Sequence, residues 1–267
     1  MNSLDSKPLV EIVIPVYNEE AALEKSVKQL YQFLKQNFPY RWQITIADNA
    51  SKDRTWEIAR QLNLALPEVK VLHLDQKGRG RALRQAWGNS EAEVVAYMDV
   101  DLSTGLDALL PLVIPLVEGQ NSIAIGSRLA REAQVTRQWK RELISRCYNI
   151  MIKAVFLNHF SDAQCGFKAI TTKTARQLLP MIENNEWFFD TEMLLLAEHN
   201  GMKIHEVAVT WVEDLDSRVH ITKTVKEDLK GLWRMRKTFW SGKGQLAATS
   251  YAKETNPKIT SSVNRAA

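Results

Sequence analysis

The chain has 267 residues, 45% of them hydrophobic and 25% charged, which excludes a wholly disordered chain and is long enough to bury a substantial core. Two cysteines, Cys147 and Cys165, are too few for a disulfide framework and form no Cys-x-x-Cys pair for zinc, so a reducing cytoplasm is the expected compartment. A net charge of +4 is compatible with an anionic partner without selecting one.

No uncharged run reaches the roughly 18–20 residues that a spanning helix needs; the longest, Ala108–Val117, carries Pro111 and Pro115. The first residues, with Asp5 and Lys7 and no apolar stretch, do not read as a signal peptide. A soluble or surface-bound protein is expected.

Leu9–Pro15 is a short branched apolar run that predicts a strand, followed by a helical pattern through Ala22, Leu23, Val27, Leu30, Phe33 and Leu34. Trp42–Asp48 predicts a second strand, and Trp56, Ala59, Leu62 and Leu66 a second helix. Val69–Leu74 is a third strand, leading into a basic segment that ends in Arg81–Trp87. Val94–Asp99 is a fourth strand, Leu106–Val117 a proline-containing helix and Ser122–Ser127 a fifth strand. This alternation predicts an α/β fold with a mostly parallel sheet covered by helices on both faces.

Ligands in such sheets bind beyond the carboxyl ends of the strands. From about Arg137 the pattern changes to one long helix, Trp139–Phe156, then mixed elements over Gly166–Thr210 and a basic amphipathic helix over about 222–240. One domain is expected over residues 1–242, with its core at about 9–222. Residues 243–267, without apolar periodicity and rich in Ser, Thr, Asn and Lys, read as a disordered tail.

Asp99 and Asp101 flank Val100 at the end of the fourth strand, and alternate residues of extended chain point the same way. Two hard oxygen donors on one point suit Mg²⁺ or Mn²⁺ with a shell completed by phosphate oxygens; a turn or a helix cap before Leu106 is the other reading. Asp48 is read as facing a nucleobase or ribose, and Asp53 as structural, with Ser51 and Asp53 as candidate caps for the helix near Thr55. Asn18 is a candidate cap of the first helix; Tyr17 has no such local duty. Lys77, Gly78, Arg79, Gly80 and Arg81 offer flexible backbone and three cations for a pyrophosphate, although Leu83 breaks any dinucleotide fingerprint. The five histidines, His73 among them, show no paired ligand spacing, and most of them read as surface or packing residues.

IPVYNEE (14–20), ADNASKDRT (47–55), KGRGRALR (77–84), MDVDLST (98–104) and GSR (126–128) stand in order at successive strand ends. Together they resemble family 2 of the inverting glycosyltransferases. DAQCGFK (162–168), WFFDTEMLL (187–195) and DSR (216–218) look like the branch that makes polyprenyl-phosphate sugars, the dolichyl-phosphate glucose and mannose synthases. The resemblance spans about residues 9–240 and implies a nucleotide-diphospho-sugar transferase fold of the Rossmann-like GT-A type. It implies that Pro15, Tyr17 and Glu19 frame the nucleobase, with Asp48 near base and ribose. Asp99, Val100 and Asp101 would form the metal motif at the donor diphosphate, with Ser103 close by. Arg128, Arg141 and Arg218 fall where relatives place cations near the donor and acceptor phosphates. Asn49 stands where relatives often carry a second Asp, and no membrane segments flank the domain, unlike in many relatives.

A phosphomonoester is already an anion near neutrality, so a phosphate acceptor needs cations to hold it, whereas a sugar hydroxyl needs a general base. Arg128, Arg141 and Arg218 suit the first task. Asp162 and Asp190 are each either an acid/base or orienting group or a local structural residue, Asp162 shaping its loop and Asp190 capping a helix from Thr191; for Asp190 the cap is the favoured reading. UDP-glucose is the favoured donor, GDP-mannose the next, and a polyprenyl phosphate the acceptor, with a glycan or other hydroxyl acceptor, or a non-catalytic binding module, as alternatives. Seven cations against Glu227 and Asp228 over 223–243, beside Val225, Leu229, Leu232, Trp233, Phe239 and Trp240, predict either a helix lying on an anionic membrane surface or one packed on the domain. Peripheral attachment to the cytoplasmic face is the expectation, with a membrane protein as a possible partner. No nucleic acid is expected.

Overall fold

The computed structural model describes residues 6–213 and 221–246. Its seven-stranded sheet has the order β3-β2-β1-β4-β7-β5-β8, with β1 (Leu9–Val16), β2 (Arg41–Asn49), β3 (Val69–Leu74), β4 (Val94–Met98), β5 (Ile123–Ser127), β7 (Phe167–Thr171) and β8 (Ile204–Ala208). All neighbours run parallel except β7, which is antiparallel to both β4 and β5. A second, two-stranded sheet pairs β6 (Gln134–Thr136) with β9 (Thr210–Val212).

The central strands are buried on both faces, which is why β1 and β4 read as continuous apolar runs instead of alternating ones. Ile12 and Ile14 enter one core with Leu23, Leu30 and Leu34 of α1 (Leu23–Asn37), Ala59 and Leu62 of α2 (Thr55–Ala65), and Leu112 of α4 (Leu109–Val117). Val13 points to the other, with Leu83 and Trp87 of α3 (Arg79–Asn89), Tyr148 of α5 (Trp139–Phe156), Leu178 of α6 (Thr172–Leu178), Leu194 of α7 (Phe189–His199) and Leu232 of α8 (Ile221–Trp240). The expected α/β sheet with helices on both faces is therefore present, and the fifth strand and the long helix at 139–156 lie where the periodicity puts them.

The antiparallel β7 matters most for the site. Because Phe167 at its start pairs with Met98 at the end of β4, the loop before it, 162–166, lies at the same sheet edge as the carboxyl ends of the parallel strands. The small sheet closes over this edge: Val212 N donates to Ser103 O (2.9 Å) and Gly105 N to Thr210 O (2.9 Å).

The basic C-terminal helix is docked on the domain. Leu232 and Met235 are buried, and Arg234 makes a bidentate pair with buried Glu192 (2.7 and 2.8 Å). The same helix leaves Val225, Leu229, Trp233 and Trp240 exposed, with Lys237 over Trp233 and Arg236 over Trp240. The reading of a helix packed on the domain thus describes one face of it, and the other face is exposed. Residues 243–246, assigned above to the tail, are held in part by Asn200, which donates to Gly244 O and accepts from Leu246 N. Arg218, Asp216 and residues 247–267 lie outside the described residues.

The closest approach between α3 and α7 is made possible by Gly80, where a Cβ would stand 2.6 Å from Phe189 Cβ. Gly80→Ala is expected to lower stability by about 1–3 kcal/mol through overpacking, although it improves helix propensity by roughly 1 kcal/mol. Chemical denaturation checks this; an unchanged or raised midpoint would mean that the two helices part without cost.

Candidate active site

The first two loops at the sheet edge are built as one unit. Asn18 N donates to Ser51 Oγ (2.9 Å), Glu19 N to Thr55 Oγ1 (2.7 Å) and Glu20 N to Asp53 Oδ2 (3.3 Å). Lys52 N and Arg54 N return bonds to Asn18 Oδ1 (2.8 Å) and Glu20 Oε2 (3.0 Å). Asn18 and Ala50 adopt left-handed backbone at these turns. Asn18 and Ser51 are therefore loop-to-loop ties and cap neither helix. Asp53 is structural as expected, accepting from Thr55 N at 3.0 Å.

Pro15 lies in β1 and Tyr17 directly beyond it, half-buried, with Lys77 Nζ 3.8 Å from the ring centroid. Asp48 is fully buried in β2. Its Oδ2 meets His73 Nδ1 at 2.7 Å, and the His73 ring lies 4.9 Å from that of Trp56. Asp48 Oδ1 and Asn49 Oδ1 are buried with no hydrogen-bond partner. Of the Asp48 carboxylate, read above as facing a ligand, one oxygen is thus taken by His73 and the other has no partner. His73, among the histidines read mostly as surface or packing residues, is instead the partner of Asp48; the two are register neighbours across β2 and β3.

The two aspartates of the fourth strand are not on extended chain. β4 ends at Met98, and Leu102 N bonds Asp99 O (3.2 Å) with Leu102 in a left-handed conformation, so Asp99 and Asp101 sit in a turn. Val100 between them turns its side chain into the core. Asp101 is exposed and accepts from Ser103 N at 2.9 Å. Asp99 Oδ1 lies 2.9 Å from Arg79 Nη2. Although 43% of the Asp99 side chain remains accessible, desolvation pushes its carboxyl above the ordinary range, opposed by Arg79 and reinforced by Asp101. That coupling places the two carboxylates within electrostatic reach of each other.

Arg79 opens α3 next to Gly78, whose φ of +152° and lack of a side chain let Asn185 O approach. Its guanidinium is 5.0 Å from the Tyr97 ring and 4.9 Å from the Trp187 ring. Burial works against its charge, but Asp99, Tyr97 and Asp190 outweigh that and raise its pKa. Arg79 Nε and Nη2 nevertheless make no hydrogen bond; the contact with Asp99 is one of charge, without hydrogen-bond alignment. Gly166 allows it, since a Cβ there would fall 1.8 Å from Asp99 Oδ2.

Beneath them Tyr97 OH donates to Asp190 Oδ1 (2.5 Å), with Lys168 Nζ 3.5 Å from the same oxygen. Asp190 lies inside α7 and is buried, so it supports this network and does not cap the helix.

At the end of β5, Arg128 is buried and clasped by Asp162, with Nε 2.8 Å from Oδ2 and Nη2 3.0 Å from Oδ1, while Arg128 N also bonds Oδ2 (3.1 Å). Burial alone would raise the Asp162 carboxyl; the Arg128 charge and these bonds hold it below the usual range. Both Asp162 oxygens thus accept hydrogen bonds from Arg128. Arg128 and Arg137 each stand 5.4 Å from the Trp211 ring. Burial and then the Arg128 charge lower the Arg137 pKa, and Arg137 Nε is buried without a partner. Arg137 is a cation that the sequence reading left out of the site. Arg141 instead pairs with Glu213 (3.0 Å).

No group of three or more ligating side chains exists among the described residues. Two carboxylates, one of them exposed, fit a hard divalent cation whose shell is completed by diphosphate oxygens and water, and not one enclosed by protein.

Asp162→Asn leaves a buried guanidinium without its counter-charge and is expected to cost about 3–5 kcal/mol, read by denaturation at neutral pH. Because Asp162 is held below its unfolded value of about 3.9, its contribution is present above that pH and fades as the pH falls through its folded value. The wild-type and variant stabilities should converge there. A constant gap at all pH values would contradict this.

Residues 11–179, well over half of the chain, match the Glycosyl transferase family 2. The chain is 31% identical over 234 residues to glycosyltransferase AglD of Haloferax volcanii, covering 86% of this chain but only 37% of AglD. It is 30% identical over 229 residues to a dolichyl-phosphate beta-glucosyltransferase of Drosophila melanogaster, covering 79% of this chain and 70% of the relative. The crystal structure of glucosyl-3-phosphoglycerate synthase from Mycobacterium tuberculosis in complex with uridine diphosphate superposes with a TM-score of 0.66 at 18% identity, over 86% of this chain and 80% of that one. A second structure of that enzyme, with Mn²⁺, UDP-glucose and phosphoglyceric acid, gives 0.64 at 15% identity over the same shares. These likenesses show a shared GT-A fold, and the family match shows the lineage: the chain belongs to glycosyl transferase family 2.

Proposed function

We propose that the chain transfers a hexose, glucose before mannose, from a nucleotide-sugar to a polyprenyl phosphate with inversion at the anomeric carbon, in a reaction that depends on Mg²⁺ or Mn²⁺. The observation that carries this reading is the placing of unpaired buried polar atoms along one sheet edge. Asp48 Oδ1 and Asn49 Oδ1 offer acceptors at one end and Arg79 Nε and Nη2 donors further along. Acceptors beside aromatic Tyr17 and Trp56 suit a nucleobase and ribose; donors beside a carboxylate turn suit a diphosphate. The relatives named as glucosyltransferases support glucose over mannose as the sugar.

In this arrangement Tyr17, Lys77, Asp48 and His73 hold the nucleoside and Arg79 binds the diphosphate. Asp99 and Asp101 would hold the divalent cation, which when bound neutralises charge on the leaving diphosphate as a Lewis acid. Arg128, fixed by Asp162, and Arg137 hold the acceptor phosphate on the other side of the turn. An acceptor oxygen anion attacks the anomeric carbon as the diphosphate leaves from the opposite face, so no protein base is required. The satisfied state of Asp162 and the burial of Asp190 support a phosphate acceptor over a hydroxyl. Arg218 remains a proposed further cation.

A lipid acceptor also requires a membrane surface. Within the described residues no helix is long and apolar enough to cross a membrane; the exposed Trp139, Leu143 and Ile150 of α5 with Leu229, Trp233 and Trp240 of α8 support peripheral attachment to a membrane surface, for which the cytoplasmic face is our proposal.

Transfer of labelled sugar from UDP-glucose or GDP-mannose into organic-extractable lipid, with polyprenyl phosphate and with or without Mg²⁺ or Mn²⁺, tests the reading. Asp101→Ala is expected to abolish metal-dependent transfer while changing stability by no more than about 0.5 kcal/mol, as for an exposed side chain. Full transfer by this variant would sink the metal assignment; label passing only to hydroxyl acceptors would sink the phosphate acceptor.

A further inference from the structure

Arg79 and Asp99 form an ion pair unlike the Arg128–Asp162 and Arg234–Glu192 pairs. Arg128 and Asp162 satisfy each other through two side-chain bonds and a backbone bond. Arg234 and Glu192 make two well-formed bonds. Arg79, with only 12% of its side chain accessible, sits 2.9 Å from Asp99, yet Nε and Nη2 have no hydrogen-bond partner.

A buried guanidinium with idle donors is costly unless another acceptor completes it. Meanwhile Asp99 keeps 43% of its side chain accessible. The guanidinium lies within cation–π range of two rings, Tyr97 and Trp187, the latter 43% exposed. The chain supporting Trp187 is tied to the start of α3 through Asn185 O, which accepts from Arg81 N at 3.0 Å.

We infer that Arg79 is an exchangeable counter-ion: without donor it neutralises Asp99, and when the nucleotide diphosphate arrives its fork moves to the diphosphate oxygens and frees Asp99 for the divalent cation. This rests on the donor site proposed above and adds an order to its filling. Attraction to the two ring faces helps keep the guanidinium charged as its fork changes partner, and Gly166 leaves room for the Asp99 carboxylate. Arg79 therefore lowers the affinity of the site for the metal alone, so that metal and nucleotide bind together instead of metal occupying an empty site. A cation and a guanidinium competing for one carboxylate are coupled reciprocally.

The test titrates Mn²⁺ alone, followed through the electron paramagnetic resonance of the free ion, into the full chain and into Arg79→Gln, and then repeats both titrations with UDP. Exchange predicts that Arg79→Gln binds Mn²⁺ alone about fivefold or more tightly than the wild type, the lower end of ordinary coupling between sites, and that UDP then improves Mn²⁺ affinity by a correspondingly smaller factor. Mn²⁺ affinity that is unchanged or weaker in Arg79→Gln overturns the inference.

A second readout uses the unmodified chain, should the variant not fold. The assigned Arg79 Nε–H resonance is expected to shift when UDP and Mg²⁺ are added together; an unmoved signal at saturation overturns the exchange. Both are binding measurements that need no lipid. If transfer to polyprenyl phosphate fails while they give the expected result, the acceptor reading falls and the exchange stands; transfer with unaltered Mn²⁺ binding in Arg79→Gln rejects the exchange alone.

Discussion

One antiparallel strand determines what this sheet can do. An all-parallel sheet presents only the segments that follow its strands at the ligand edge. By running β7 backwards between β4 and β5, the fold brings the segment before a strand to that edge as well, and with it Asp162, Gly166 and the start of the Lys168 side chain's path to Tyr97. Gly166 then faces Asp99, and Asp162 lies under Arg128. Without the reversal neither carboxylate would have its present neighbour.

The two buried arginines at that edge are held in opposite ways. Arg128 is fully engaged by Asp162, a rigid pair whose purpose is to fix a positive charge in place; breaking it is expensive because the remaining charge is stranded. Arg79 is compensated in charge, but its Nε and Nη2 have no hydrogen-bond partner. The same low-dielectric surroundings that strengthen the first pair make the idle donors of the second a standing demand for an anion. Beneath Arg79, burial and then Asp190 push the Tyr97 phenol well above its ordinary range, so Tyr97 stays a neutral donor to Asp190 and its ring stays an uncharged plate for the guanidinium. A rigid cation toward the acceptor and an exchangeable one toward the donor are consistent with direct displacement between two phosphates, where positioning and electrostatics carry the chemistry.

Much of this was legible in the sequence because parallel strands buried on both faces are continuous apolar runs, and their ends announce themselves by polar residues. Asp99, Asp101, Lys77 and Arg128 were found that way. What depends on register was not legible. His73 meets Asp48 because β2 and β3 align those two positions, and Arg137 meets Trp211 because β6 pairs with β9; no local pattern encodes either alignment. The direction of β7 is equally silent, since an apolar run reads the same in both directions. Asp190 misled for a different reason: an acidic residue ahead of an apolar stretch resembles a cap, but α7 begins before it and turns it inward toward Tyr97. At 99–102 the turn that Asp, Ser and Thr also allowed replaces the extended chain on which the aspartate pairing was argued.

The most direct measurement is a crystal structure of the chain with UDP and Mn²⁺. The account predicts the uracil beside Tyr17 and Asp48, the diphosphate on the Arg79 guanidinium, Mn²⁺ on Asp99 or Asp101 and the former Arg79–Asp99 contact broken. Nucleotide bound away from this sheet edge, or bound there with Arg79 still on Asp99 and no metal at either aspartate, would contradict it.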